Sequence, residues 1–407
     1  MSERKYTDAQ VAAALKLKGS INKAAPYLNM ARSSLQERVK RLNLGTAQSD
    51  KLDEFSAKRE LSNLRSEVKR LQGEAADLSA IRKMIGDVSS RVTDAPAWLN
   101  KLPPSKAKHY GVPTLMLSDL HFGEVVFPGQ VNGVNQYNKD IAKIRLRKVV
   151  SKAITMLRTT LAPGSFGGMV VQLGGDMLDG TIHDELRDTA DETVLQAIIT
   201  LHDELVPALK SLCDEFGRLH VPCVVGNHPR LDRKPRMKNG PFLNHDWLLY
   251  QFVAKTISNS PKYASRITFQ IPDGFDCVYR VHGLRYLLTH GDSFSGGNGI
   301  TGPLLPWMRG QAKTQQQYSA IGLPFDVLCF GHWHQLRFLV NQRNGIIVNG
   351  SLCGFNEYAL KNRFAYEQAA QALWLTSPKG RVWFTTAVDA EEPRDTAEAA
   401  WCEVRAA

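Results

Sequence analysis

The chain has 407 residues, 43% of them hydrophobic and 22% charged, and a formal net charge of +11. That length exceeds one compact domain, and the composition excludes wholesale disorder, a collagen-like repeat and a disulfide scaffold. Residues 1–110 carry 21 Lys and Arg against 12 Asp and Glu, and residues 111–407 carry 30 against 28, so the excess charge belongs to the first quarter. No window supplies the roughly 18 consecutive apolar residues of a membrane helix, and the first residues lack an apolar signal core, which predicts a soluble, cytoplasmic protein without membrane contact. Cys213, Cys223, Cys277, Cys329, Cys353 and Cys402 are scattered without a C-x-x-C pair and read as reduced thiols.

Residues 7–44 predict three short helices. Thr7 caps a pattern through Val11, Ala14 and Leu15 that stops at Gly19; Ser20 caps a second, with Ala24, Ala25 and Leu28 on one face. The third turns Leu35, Val39 and Leu42 inward and leaves Arg32, Gln36, Arg38, Lys40 and Arg41 outside. The run from Gly19-Ser20-Ile21-Asn22-Lys23-Ala24-Ala25 to Arg38-Val39-Lys40-Arg41 resembles the Fis-type helix-turn-helix, which implies DNA binding by residues 1–45. Nine basic against three acidic residues there suit a phosphate backbone. In residues 51–92, Leu61, Leu64, Val68, Leu71, Ala75 and Leu78 step by three and four, the rhythm of a coiled coil, and predict a homodimer; a single amphipathic helix is the alternative. Residues 93–111 read as a basic, Pro-containing linker.

From 112 to 388, short apolar runs alternate with amphipathic segments. Strands are predicted at 114–118, 169–173, 223–225, 285–289 and 327–330, with helices near 140–160, 190–216 and 244–257. Further strands are predicted at 276–281, 336–340, 346–349, 370–376 and 381–387, giving an α/β domain with mixed sheets. Residues 389–407 read as an acidic, Ala-rich tail.

Each principal strand runs into polar residues: Asp119 and His121, Gly175-Asp176, Gly226-Asn227-His228, His290-Gly291-Asp292, and Gly331-His332-Trp333-His334. In α/β sheets, groups beyond the carboxyl ends of strands converge on one crevice. Imidazoles and carboxylates without thiolate suit divalent first-row metals, manganese first, with iron or zinc as alternatives. The donors outnumber what one ion takes, so a pair is predicted.

This ordered series, D-x-H, G-D, G-N-H, H and G-H-x-H, resembles the calcineurin-like metallophosphoesterases over most of residues 112–350. The resemblance implies their α-β-β-α sandwich with mixed sheets. It implies that Asp119, His121 and His334 hold one metal, that Asn227, His290 and His332 hold the other, and that Asp176 bridges them. It implies phosphoester hydrolysis by a hydroxide between the metals, with His228 assisting the leaving oxygen. Asp292 reads either as an orienter of His290 or as a loop carboxylate in water. Two positions depart from the family. Pro229 stands where many members carry a carboxylate, leaving its orienting work to Arg230 or Asp232, and Asp179 stands where the double-strand-break repair nucleases commonly have His. The nearest histidine to that position is His183, read either as a substrate contact or as a structural loop residue.

Arg230, Arg233, Lys234, Arg236 and Lys238 follow His228 and suit a phosphate backbone or a solvated loop. Phe122, Phe127 and Tyr137 in 122–139, and Trp307 in the loop 293–310, are candidates for base stacking or lid closure. Three readings follow. The first is a DNA-associated nuclease or phosphodiesterase. The second is a phosphomonoesterase acting on a nucleotide, small molecule or phosphoprotein, with the N-terminal module as a tether. The third is a DNA-binding regulator with a vestigial site, against which the intact donor set speaks.

Overall fold

The computed structural model describes residues 6–44, 59, 61–66, 68–69, 95–101, 109–159, 165–180, 182–295, 302–341 and 343–391. It divides into residues 1–87 and 88–407. In the first unit, α1 (Asp8–Lys18) opens on a capping box between Thr7 and Gln10 and ends at Gly19; α2 (Ile21–Tyr27) is capped by Ser20; α3 is Arg32–Arg41. Val11, Leu15, Ala24, Leu28, Leu35 and Val39 are buried together. Arg38 departs from the expected exposed face: its guanidinium donates to the Asp8 carboxylate and to the Tyr6 carbonyl, each at 2.7 Å, so it braces α3 against α1. Leu42, expected inward, is only half-buried. Most of the heptad stretch 51–92 lies outside the described residues; Leu61, Leu64 and Val68 within it are exposed.

The second unit is built on two mixed sheets. The first has the order β12-β11-β1-β3-β4-β5, with β2 (Ser165–Phe166) beside β1. β1 (His109–Leu117), β3 (Met169–Leu173), β4 (Leu219–Pro222) and β5 (Ile267–Gln270) run parallel, whereas β11 (Ala370–Ser377) and β12 (Arg381–Asp389) are antiparallel. The second has the order β6-β7-β8-β10-β9. There β7 (Leu284–Leu288), β8 (Val327–Phe330) and β10 (Asn344–Val348) are parallel, flanked by antiparallel β6 (Cys277–Val281) and β9 (Arg337–Asn341). Parallel strands buried on both faces need near-continuous apolar runs, as in the fully buried β8 and in β3, whose one polar residue, Gln172, donates to the Tyr279 hydroxyl at 2.7 Å.

Met116, Val170 and Trp374 of the first sheet share one core with Tyr279, Tyr286, Cys329 and Ile347 of the second. α4 (Lys139–Thr159) packs on β11 and β12, and α6 (Val194–Phe216) on β3 and β4. α6 also lies against α7 (His245–Ser258). α8 (Leu304–Ala320) covers the second sheet through Trp307, which shares a cluster with Leu328, Phe330 and Val348. Two short helices complete the set, α5 (Asp184–Thr189) and α9 (Glu357–Lys361). The layers are therefore helix, sheet, sheet, helix. Among the described residues, no helix is long and apolar enough to cross a membrane, and the five described cysteines are free and buried.

Several local expectations change. The strand expected at 223–225 is displaced to β4, with Cys223 making only an isolated bridge to Leu173. His220 conceals it, a polar residue buried in mid-strand between Thr268 and Gln270. The loop expected to 310 is helical from Leu304. Within the stretch read as linker, Leu99 is buried and its carbonyl accepts from the His282 amide at 3.0 Å, and β1 begins at His109. Arg145, buried on α4, donates to the carbonyls of Leu352 and Cys353, to Asn135, and to Glu391 in the stretch read as tail. The tail from 392 onward lies outside the described residues.

Candidate metal centre

The turns after β1, β3, β7 and β8, and the loop that follows β4, deliver the expected side chains to one place. Asp119, His121, Asp176, His332 and His334 all adopt left-handed backbone, with φ of 54°, 46°, 49°, 66° and 54°. For residues other than Gly this costs about 1 kcal/mol apiece, and reciprocal hydrogen bonds hold it in place. The Asp119 amide donates to the Gly175 carbonyl and the His121 amide to the Asp176 carbonyl, both at 3.0 Å. The Asp176 carboxylate accepts from the His228 amide at 2.8 Å, and that of Asp119 from the His332 amide at 2.7 Å. A Cβ on Gly226 would meet Asp176 Oδ1 at 2.0 Å, and one on Gly331 would meet Asp119 Oδ2 at 2.0 Å; both glycines are required for the carboxylates to approach.

Donor atoms of Asp119, His121 and His334 lie within 4.8 Å of one another, as do those of Asp176, His290 and His332. His121 Nε2 is 3.0 Å from His334 Nε2, and His334 Nε2 is 3.4 Å from Asp119 Oδ1. His290 Nε2 is 3.0 Å from Asp176 Oδ2 and 3.1 Å from Asn227 Oδ1. Asp176 Oδ2 also lies 3.9 Å from His121 Nε2, which puts this carboxylate between the two groups. Imidazole nitrogens and carboxylate oxygens crowded into two adjoining volumes fit a pair of divalent cations.

The titration behaviour reflects the same crowding. Burial would raise the Asp176 pKa, but the His290 and His228 charges hold it well below the usual carboxylate value. Burial would lower that of His121, yet the Asp179 hydrogen bond and the Asp176 charge lift it to about 10. Burial and the neighbouring His290 push His332 down to about 4.

His228 belongs to a third set with His121 and Asp176, whose donor atoms also lie within 4.8 Å of one another, and its ring is edge-on to that of His121 at 4.6 Å. Its Nδ1 is 3.2 Å from Asp179 Oδ1, which is also 3.2 Å from His121 Nδ1. Asp179, met in the sequence only as a departure, thus orients two imidazoles. The exposed His183 ring is 5.3 Å from that of His228. Arg230 is spent on the main chain, donating to the carbonyls of Asn227, Asp232 and Arg233, so it props the Asn227 turn. Arg233 pairs with Asp184 and Arg236 with Asp232, leaving Lys234 and Lys238 exposed and without an ion pair among the described residues. Asp292 is exposed, and His290 Nδ1 bonds instead to the Gly174 carbonyl at 2.9 Å.

Sequence reasoning missed the supports behind the centre. Asp246, wholly buried in the first turn of α7, accepts from the Met177 amide at 3.2 Å and the Gly226 amide at 3.0 Å, joining the Asp176 turn to the Asn227 turn. Burial and the Asp176 charge push its pKa up to about 7. Asn244 adds a bond to the Gly226 carbonyl at 2.8 Å. Ser118 Oγ donates to Asp119 Oδ2 at 2.5 Å and accepts from Asn349 at 2.9 Å, and Asn349 also donates to Gln371. The one signal in the sequence is an acid, Asp246, set directly before the apolar run Trp247-Leu248-Leu249.

No family model matches the chain. Histidine–tRNA ligase of Corynebacterium diphtheriae is 29% identical over 131 residues, 32% of this chain and 29% of that protein, so the chain spans less than a third of that relative's length. Similar solved structures include a novel archaeal phosphodiesterase, 12% identical with a TM-score of 0.32, covering 68% of this chain and 99% of its own. A dimetal phosphatase from Danio rerio is 10% identical with a TM-score of 0.32, covering 69% and 99%. Vps29 of Entamoeba histolytica complexed with zinc is 12% identical with a TM-score of 0.29, covering 69% and 100%. TM-scores this low carry no weight of their own; the donor set does.

Proposed function

We propose that the chain is a metal-dependent phosphoric ester hydrolase acting on phosphodiester bonds, and that it works in association with DNA. The carrying observation is the doubled donor set around Asp176 beside an imidazole, His228, that a buried carboxylate orients. Asp119, His121 and His334 would hold one ion, Asn227, His290 and His332 the other, with Asp176 shared. Two bound divalent ions, manganese first and iron or zinc as alternatives, supply positive charge for the phosphoryl oxygens and activate water. His228, held through Nδ1 by Asp179, presents Nε2 to the ester and gives its proton to the leaving oxygen. His183, beside it, meets the substrate.

DNA association rests on the basic balance of residues 1–45 and on Arg32, Gln36, Lys40 and Arg41, exposed along α3. One observation favours a second reading, hydrolysis of a compact monoester: the cations that follow His228 are largely consumed by internal pairs, which weakens that loop as a polynucleotide track. A panel of bis-diester, monoester, single-stranded and duplex substrates with added manganese separates the two. Turnover of diesters and DNA is expected; monoester turnover with DNA and RNA left intact removes the nuclease reading. His228→Ala is expected to lower kcat by about 10²-fold or more, and unchanged activity in both His228→Ala and Asp176→Ala would show the site to be misassigned.

A further inference from the structure

The aromatic side chains expected to meet a substrate are mostly interior. Phe122, Tyr137 and Trp307 are at most 2% exposed. Of the exposed rings, four lie on or beside one segment, 356–366: Tyr358 at 67%, Phe364 at 49% and Tyr366 at 45%, with Phe127 at 43%; Tyr27, Phe242, Phe275 and Trp383 are exposed elsewhere. Single exposed apolar residues are ordinary on a protein surface, but four aromatics gathered in one place are not.

The segment is preset. Tyr358 and Phe364 meet edge to face with centroids 5.8 Å apart, and Tyr366 leans on the buried Phe355 at 5.4 Å. Asn356 caps α9 by accepting from the Ala359 amide and donates to Glu124 Oε1 at 2.8 Å, while Glu357 accepts from the Phe127 amide at 2.9 Å. The Glu124 amide bonds to the His121 carbonyl at 3.0 Å. At the other end, Glu367 pairs with Arg337, the first residue of β9 and three residues beyond His334. The aromatic surface thus borders the turns that carry His121 and His334. Lys361 and Arg363 are exposed between the rings and form no ion pair among the described residues.

We propose that Phe127, Tyr358, Phe364 and Tyr366, with Lys361 and Arg363, form a stacking platform for unpaired bases of a polynucleotide whose backbone continues to the metal centre. Aromatic faces offer stacking surfaces to bases, and the interleaved Lys361 and Arg363 complement the charge of the phosphates that link them. The proposal rests on the phosphodiester reading, and it supplies the hold on a strand that the ion-paired loop after His228 does not.

The test is fluorescence anisotropy of labelled oligo(dT) with the full chain, beside a duplex of equal length. Y358A/F364A is expected to weaken oligo(dT) binding by about tenfold or more while duplex affinity and melting temperature hold; Y358F, which keeps the ring, is expected to bind like the unaltered chain. Unchanged oligo(dT) affinity in Y358A/F364A overturns the platform, as does an equal loss on the duplex. Turnover of a small diester by the unaltered chain reports separately on the hydrolase reading. If that turnover is absent but Y358A/F364A selectively loses oligo(dT), the platform stands and the hydrolase reading falls.

Discussion

Five of the seven candidate ligands sit in left-handed backbone, so ligand geometry and local stability pull in opposite directions. His334→Gly removes a donor but relieves a conformation that costs a histidine about 1 kcal/mol. The metal-free variant is expected to melt no lower than the unaltered chain while manganese affinity falls sharply; calorimetry and a metal titration measure both. A clear drop in melting temperature would show that His334 is not strained. Away from the centre, burial depresses the pKa of His220 to about 4, and that of His245 likewise. The unfolded chain therefore takes up protons first as pH falls below 6.5, and stability is lost between pH 6.5 and about 4. A shift of this size corresponds to about 3 kcal/mol for His220. Urea denaturation across that window is expected to give a shallower pH slope for His220→Gln.

At the scale of elements, two long-range joints keep the ligand turns in register. Asp246 fixes the Asp176 and Asn227 turns to the start of α7, so Asp246→Asn, which keeps the shape but loses one acceptor, is expected to speed amide exchange at Met177 and Gly226 and to weaken metal binding. Hydrogen exchange unaltered at both amides would remove Asp246 from this role. The ligands were legible in the sequence because each follows an apolar strand directly, within a few residues. Asp246, Asn349 and Gln371 were not, because the turn residues they hold are 20 to 253 residues away in the chain. α8 was hidden for a related reason: Trp307 is buried by the rings of Phe330 and Trp333, which no local pattern announces. His220 concealed β4 because its polarity is satisfied only by Thr268 and Gln270 of the neighbouring strand.

For the whole molecule, charge is separated along the chain: most of the excess lies in residues 1–110, and the rest is nearly balanced. A chain lacking residues 1–92 is expected to lose duplex binding, whose affinity in the full chain falls steeply with salt, while retaining turnover of a small diester. Light scattering is expected to report a dimer for the full chain and a monomer for the shortened one. Loss of small-diester turnover on deletion would contradict the separation.

The buried guanidinium of Arg145 gathers the carbonyls of Leu352 and Cys353 together with the carboxylate of Glu391, and Leu352 in turn donates its amide to Asp119. This arrangement sets an order of assembly during translation. Asp119 and His121 leave the ribosome more than 200 residues before the groups that lock their turn, from Asn349 and Gln371 to Glu391. A nascent chain can form β1 and β3 long before it can close the pocket around Asp119. The Asp119 turn is therefore locked only once residues as distant in the chain as Asn349, Gln371 and Glu391 have joined it.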